Sequence, residues 1–299
     1  MRLGHIIESQ QFTVPVLMEL FKIADDMEHV VARGGTRDYS NRIMASLFYE
    51  PSTRTRFSFE SAMMRLGGKI LSTESADQFS SVMRGEELED TVRVVGNYSD
   101  VIVLRHNEIG GAARAAKVSS VPVINAGDGK GGQHPTQALL DLYTIHREIK
   151  TIDGVKVAMV GNLSEGRTVR SLAYLLGKFE RVKLFFVAPK NLQMRQDIID
   201  YLIHHNVWFT MEEDLKKIID EVDVVYMTRL ESSGGAEGGR YYIDNSVMKY
   251  LPKKSIVMHP LPRANEISEA VDNDPRSAYF RQTKNGVYIR MAILVSVLE

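Results

Sequence analysis

The run Ser52-Thr53-Arg54-Thr55-Arg56 packs hydroxyl and guanidinium groups into one short stretch. It sits between an apolar run ending near Tyr49 and a segment in which Phe59, Ala62, Met63 and Leu66 recur at i, i+3, i+4 and i+7, the spacing of a helix with one buried stripe. The run therefore falls at a helix start, where free backbone N–H groups and the positive dipole end favour an oxyanion. Ser52, Thr53 and Thr55 add hydroxyl donors, and Arg54 can hold a phosphate through two parallel bonds. A lone Ser-Thr pair would be an ordinary cap; this run, directly after a buried strand, points to an anion site.

Further cationic groups fall at other strand ends. Arg105 closes the apolar run at 101–104, and ligands of open α/β sheets bind beyond the carboxyl ends of strands. His134 follows a glycine-rich loop after the run at 121–125, with Gln137 one helical turn on. That loop, Gly127-Asp128-Gly129-Lys130-Gly131-Gly132, satisfies G-x-G-x-x-G. A dinucleotide site needs the helix to open inside the glycines and an acidic residue to end the next strand. Here Pro135 delays the helix and the next strand ends in Gly161-Asn162, so a plain loop is the better account. In the second half, Arg167 lies at a strand-to-helix junction and Arg229 ends a strand, which suggests a ligand bearing carboxylates. His259-Pro260-Leu261-Pro262-Arg263 also follows a strand, and its prolines can aim backbone carbonyls at a ligand.

Positioning these groups calls for alternating strands and helices, the pattern of parallel sheets covered by helices. Strands are expected at 42–49, 69–73, 101–105, 121–125, 155–162, 182–188, 207–210, 223–229 and 255–259. Helices are expected around Phe59 and around Leu88, Val92 and Val95, and at 135–149, 167–179, 192–205, 212–221 and 287–298. Asp153-Gly154 breaks the pattern. The fold class is thus α/β, two doubly wound parallel-sheet domains with the active site in the cleft between them: residues 1–150, with the helix at 287–299 packing back on them, and residues 151–286. Residues 232–239 read as a flexible loop.

At 299 residues the chain is long enough for two cores, and 44% hydrophobic with 25% charged residues is ordinary for a globular protein. A formal net charge of -1 gives no reason to expect nucleic acid or a membrane as partner. The absence of cysteine removes disulfides, thiolate metal sites and thiol nucleophiles together. No stretch approaches the roughly 18 apolar residues of a membrane span, and residues 1–10 hold no apolar run of secretory length. A cytoplasmic location is the expectation.

Taken together, the motifs resemble the aspartate and ornithine carbamoyltransferase family over about 43–298. Ser52 to Arg56 matches the carbamoyl phosphate motif of both branches. His134-Pro135-Thr136-Gln137, Gly166-Arg167-Thr168-Val169, Met227-Thr228-Arg229 and the segment from His259 to Arg263 match the aspartate branch. The ornithine branch is expected to carry a cysteine motif near its end, which this chain lacks. The resemblance implies that Ser52, Thr53, Arg54 and Thr55 hold phosphate, and that Thr55, Arg105 and His134 polarise the carbamoyl oxygen. It further implies that Gln137, Leu261 and Pro262 contact the carbamoyl amide and that Arg167 and Arg229 hold the carboxylates of L-aspartate. Ser80 and Arg84 would enter the neighbouring subunit's site in a homotrimer. The implied product is N-carbamoyl-L-aspartate, in pyrimidine biosynthesis, with no metal, cofactor or covalent nucleophile. Three departures bear on the acceptor: Arg84 stands for the usual Lys, Glu231 for the usual Gln, and the segment after Glu231 is shorter and richer in glycine. Glu231 beside an aspartate carboxylate would be repulsive, so a short diamino acid is the competing acceptor. A homologue that binds carbamoyl phosphate without turnover is the other alternative.

Overall fold

The apolar runs of the first half form one parallel sheet of β1 (Ile43–Phe48), β2 (Lys69–Glu74), β3 (Val101–Arg105) and β4 (Val123–Asn125), ordered β2-β1-β3-β4. β3 is buried along its whole length and β1 along all but its first residue, as expected for central strands covered on both faces, while β2 forms a more exposed edge. The runs of the second half form β5 (Lys156–Val160), β6 (Lys183–Val187), β7 (Trp208–Glu212), β8 (Val224–Met227) and β9 (Ile256–Met258), ordered β7-β6-β5-β8-β9 and again parallel throughout. This computed structural model describes residues 1–74, 86–230 and 240–299. They divide into two compact units, Met1–Leu140 with Asn285–Glu299, and Asp141–Lys284.

The helices are α1 (Val14–Ala32), α2 (Thr53–Arg65), α3 (Leu88–Gly96), α4 (Gly111–Val118), α5 (Pro135–Ile149), α6 (Arg167–Leu176), α7 (Gln196–His204), the short α8 (Asn245–Met248) and α9 (Tyr279–Leu298). α2 buries Thr55, Phe59, Ala62 and Met63, so the stripe that defines the helix also fixes which way Thr55 faces. Each large apolar side chain so buried stabilises the fold by roughly 1.5–3 kcal/mol before the entropy of ordering it is counted. In the first unit, Leu3 N–H donates to Ser296 O, and the Arg290 guanidinium lies 5.1 Å from the Phe59 ring centre.

Several expected boundaries are corrected. The segment 212–221 is not a helix: β7 runs to Glu212, and Asp214 then accepts the Lys216 N–H to cap a single 3-10 turn, Leu215–Lys217. Bonds from Ile218 N–H to Leu215 O and from Glu221 N–H to Ile218 O continue the tighter pattern. Leu215, Ile218, Ile219 and Val222 are all buried, so successive turns sink the same four side chains that a helix would. α6 stops at Leu176 rather than at 179, α7 starts at Gln196 after a separate 3-10 turn at Lys190–Leu192, and α9 begins at Tyr279, ahead of 287. α1 and α4 are not among the helices expected from the sequence.

Candidate active site

In the first unit the strand order reverses direction between β1 and β3, the place where an open parallel sheet leaves a crevice at its carboxyl edge. Register sets Phe48 beside Arg105 and Leu104 beside Asn125, so the segments leaving β1, β3 and β4 emerge side by side. Ser52 caps α2 without using its hydroxyl on the helix. The first N–H groups of α2 have no acceptor within the helix by construction. Thr55 Oγ1 lies 3.5 Å from His134 Nε2, and Thr136 Oγ1 lies 3.4 Å from His134 Nδ1. Arg105 donates to Ala126 O at 3.4 Å and pairs with Glu50 at 3.0 Å.

Gly127 brings Arg105 and His134 together. It has φ 123, and a Cβ there would stand 2.9 Å from Arg105 Nη1 and 3.4 Å from His134 Cδ2. Glycine alone accepts both the backbone angle and the close approach. Thr55, Arg105 and His134 are only 7%, 7% and 4% exposed, so their donors are largely withdrawn from water, where interactions with a charge are strongest. Gln137 is buried too, its N–H donating to His134 O at 3.0 Å. Arg54 and Thr53 are exposed beside them. The second arginine of the run plays a different part, because Arg56 pairs with Glu74 at 2.9 Å and donates to Ser72, tying α2 to the end of β2.

The glycine-rich loop is held by its own acid. Asp128 is buried and accepts the Gly110 and Ala112 N–H groups, each at 3.4 Å, at the start of α4. His106, which no sequence motif singles out, packs on Tyr49 at 4.9 Å and accepts the Glu108 N–H. Burial chiefly, with Arg114 in support, pulls the His106 imidazole below its ordinary value, so it is a neutral structural group at neutral pH.

The second unit has its reversal between β5 and β8. Arg167 is the first residue of α6, following β5, and is half-buried; Arg229 follows β8 and is exposed. Asn162 N–H donates to Arg229 O at 3.4 Å, and Gly161, φ 122, packs against Thr228, so the two rims meet closely. Leu261 and Pro262 follow β9, the neighbour of β8, and are joined by a cis peptide bond. Arg263 is a structural residue: it makes two bonds to Asp272, one at 2.6 Å, and donates to Tyr279. Arg170, one turn from Arg167, is likewise buried and bidentate to Asp197 at 3.1 and 2.6 Å. Ser80, Arg84 and Glu231 lie outside the described residues. Among the described residues there is no cluster of metal-ligating side chains, and no helix is long and apolar enough to cross a membrane.

Each unit matches a family model. Residues 4–147 match the carbamoyl-P binding domain, and residues 153–297 the Asp/Orn binding domain, of aspartate/ornithine carbamoyltransferases. The chain is 51% identical to the chloroplastic aspartate carbamoyltransferase of Oryza sativa, covering 100% of this chain and 86% of that one. It is 45% identical to the aspartate carbamoyltransferase catalytic subunit of Methanocaldococcus jannaschii, covering 99% and 98%. A crystal structure of aspartate transcarbamoylase from Trypanosoma cruzi, in complex with carbamoyl phosphate and aspartate, superposes with a TM-score of 0.95 at 40% identity, covering 100% and 96%. Paired parallel-sheet units, hydroxyl and cationic side chains at both reversals, and identity along the whole length place this chain in the aspartate/ornithine carbamoyltransferase family.

Proposed function

We propose that this chain is an aspartate carbamoyltransferase, which transfers the carbamoyl group of carbamoyl phosphate to the α-amine of L-aspartate in pyrimidine biosynthesis. The products are N-carbamoyl-L-aspartate and phosphate. Ser52, Thr53, Arg54 and Thr55 bind the phosphate at the start of α2. Thr55, Arg105 and His134 donate to the carbamoyl oxygen, and Gln137, Leu261 and Pro262 contact the amide. Arg167 and Arg229 hold the two carboxylates of aspartate. The uncharged amine attacks the carbamoyl carbon, negative charge collects on the carbamoyl oxygen, and the bond to phosphate breaks as that charge returns. One proton leaves the amine nitrogen and the phosphate departs as inorganic phosphate. Donors already fixed around Gly127 need no reorganisation when the oxyanion forms, which is usually the largest single contribution to such a step. Exclusion of water keeps hydrolysis from competing.

The grouping of Arg105 and His134 about Gly127, with the Thr55 hydroxyl beside His134, carries this reading. Incubation with carbamoyl phosphate and a panel of amino acids, 2,3-diaminopropionate included, tests it by mass assignment of each product. Carbamoyl-aspartate as the main product is expected; a carbamoylated diamino acid in its place would shift the acceptor, and no product at all would remove the activity. A homotrimer that shares Ser80 and Arg84 between neighbouring sites belongs to the same proposal, and sedimentation velocity checks the mass. So does a cytoplasmic setting; the rice relative is chloroplastic, and fractionation of the source cells decides.

A further inference from the structure

Beneath the rim of the second unit lies a line of buried polar groups that the reaction as described does not use. His259 is 1% exposed and Glu266 7%. The Leu261 N–H donates to His259 Nδ1 at 2.7 Å, and His259 Nε2 lies 2.7 Å from Glu266 Oε1. Because Nδ1 accepts, the neutral ring carries its proton on Nε2, and that N–H donates to the carboxylate. Glu266 also accepts the Ala264 N–H, at 3.0 and 3.1 Å, so one carboxylate secures both sides of the turn. The His259 N–H in turn donates to Gln282 at 2.9 Å, and Gln282 and Tyr226 both donate to Asp141, each at 2.6 Å. The turn is thereby tied to β8 and α9. Between these anchors Leu261 takes φ 58, a left-handed conformation rarely adopted by residues with a Cβ. Such a conformation persists only where its surroundings hold it.

We infer that Glu266 is a positioning residue for carbamoyl transfer: it fixes the Nε2–H form of His259, which makes Nδ1 a standing acceptor for the Leu261 N–H and so sets the direction of the Leu261 and Pro262 carbonyls. The inference rests on the proposed contact between that pair and the carbamoyl amide. Burial raises the Glu266 carboxyl, but the bonds from His259 and the Ala264 N–H outweigh it and hold the group below its ordinary value, ionised at neutral pH.

The test combines ¹⁵N NMR of the His259 ring with steady-state kinetics of the full chain carrying Glu266→Ala, Glu266→Gln, His259→Asn or His259→Gln. Glutamine at 266 retains an oxygen for Nε2–H. Asparagine at 259 places an oxygen where Nδ1 stood and so keeps an acceptor for Leu261, whereas glutamine at 259 does not. The expected result is a pure Nε2–H ring in the wild type, lost in Glu266→Ala together with a fall in kcat on the order of 10²-fold and an unchanged KM for aspartate. Glu266→Gln and His259→Asn should recover most of kcat, and His259→Asn combined with Glu266→Ala should be more active than Glu266→Ala alone. A packing role would not produce that suppression. Should Glu266→Ala fail to fold, the comparison at 259 decides: Asn active and Gln impaired supports the inference, and equal loss or the reverse order overturns it. Retention of the single tautomer or of kcat in folded Glu266→Ala also overturns it. Those outcomes, in an active wild type, count against this inference alone, whereas an inactive wild type brings down the proposed function and the inference with it.

Discussion

The two units solve the same topological problem and place opposite things at the solution. Each has a parallel sheet with one reversal, β1/β3 in the first and β5/β8 in the second. At the first reversal Thr55, Arg105 and His134 are buried, Arg105 and His134 crowding Gly127 and Thr55 lying beside His134. At the second, Arg229 is exposed and Arg167 half-buried, while the dry polar groups sit below the rim in the pairs His259 with Glu266 and Tyr226 with Asp141. Buried fixed donors suit a charge that appears during reaction; accessible cations suit carboxylates that arrive and leave already charged. On the proposed roles, the fold separates stabilising the transition state from recognising the acceptor.

The largest effect expected from this contrast is on Arg105. Arg105→Ala should lower kcat by about 10²–10³-fold, as loss of one oxyanion donor does, with far-ultraviolet circular dichroism unchanged. A smaller loss than that of Arg229→Ala would dissolve the contrast. Next comes Gly127→Ala, where the added methyl meets Arg105 and His134 and an unfavourable φ. A fall in kcat of up to about 10²-fold is expected from displacement alone, with melting temperature reporting the backbone strain separately. In the second unit, Arg229→Ala removes the proposed charge-assisted bond to aspartate, worth about 1.5 kcal/mol for an exposed cation, so KM for aspartate should rise roughly tenfold with kcat nearly kept. Initial rates at saturating carbamoyl phosphate give both constants, and an effect confined to kcat would move Arg229 into the chemistry.

The smallest effect concerns acid. Burial raises the Asp197 and Glu266 carboxyls, but Arg170 and His259 pull both below their ordinary values; Arg263 and Arg276 hold Asp272 and Asp274 low directly. Carboxylates lowered on folding add stability above the unfolded value, roughly pH 4, and lose it as pH falls through the lowered values. The three arginine pairs are partly exposed, so each contributes only about 0–1 kcal/mol. All four carboxylates belong to the second unit, as does Trp208, the only tryptophan. Trp208 fluorescence should therefore report loss of stability below about pH 4, less steeply in Asp272→Asn.

Much of this arrangement could be read in the sequence because strand ends announce themselves. Apolar runs at 101–105 and 121–125 and the hydroxyl run after β1 locate three adjacent rims once the sheet is parallel. α1 was equally readable, since Leu17, Leu20, Phe21 and Ala24 keep helical spacing behind Pro15. The stretch from Leu215 to Val222 was not, because that period does not distinguish a helix from successive tight turns that bury the same side chains. Arg56, Arg170 and Arg263 have the same residue type as the proposed ligand-binding arginines. What assigns them to structure is a partner distant in sequence: Glu74, Asp197 or Asp272. His259 and Glu266 carry no spacing rule at all; only the turn that brings Nδ1 to the Leu261 N–H reveals their connection.

The most direct test of the division of labour is His134→Ala, measured for both turnover and equilibrium binding of carbamoyl phosphate. A bond that strengthens as charge develops predicts that kcat falls by about 10²-fold or more while Kd for carbamoyl phosphate changes little. Loss of binding with kcat preserved at saturation would show that the buried cluster of the first unit holds the substrate without stabilising the transition state, and the account would be wrong at its centre.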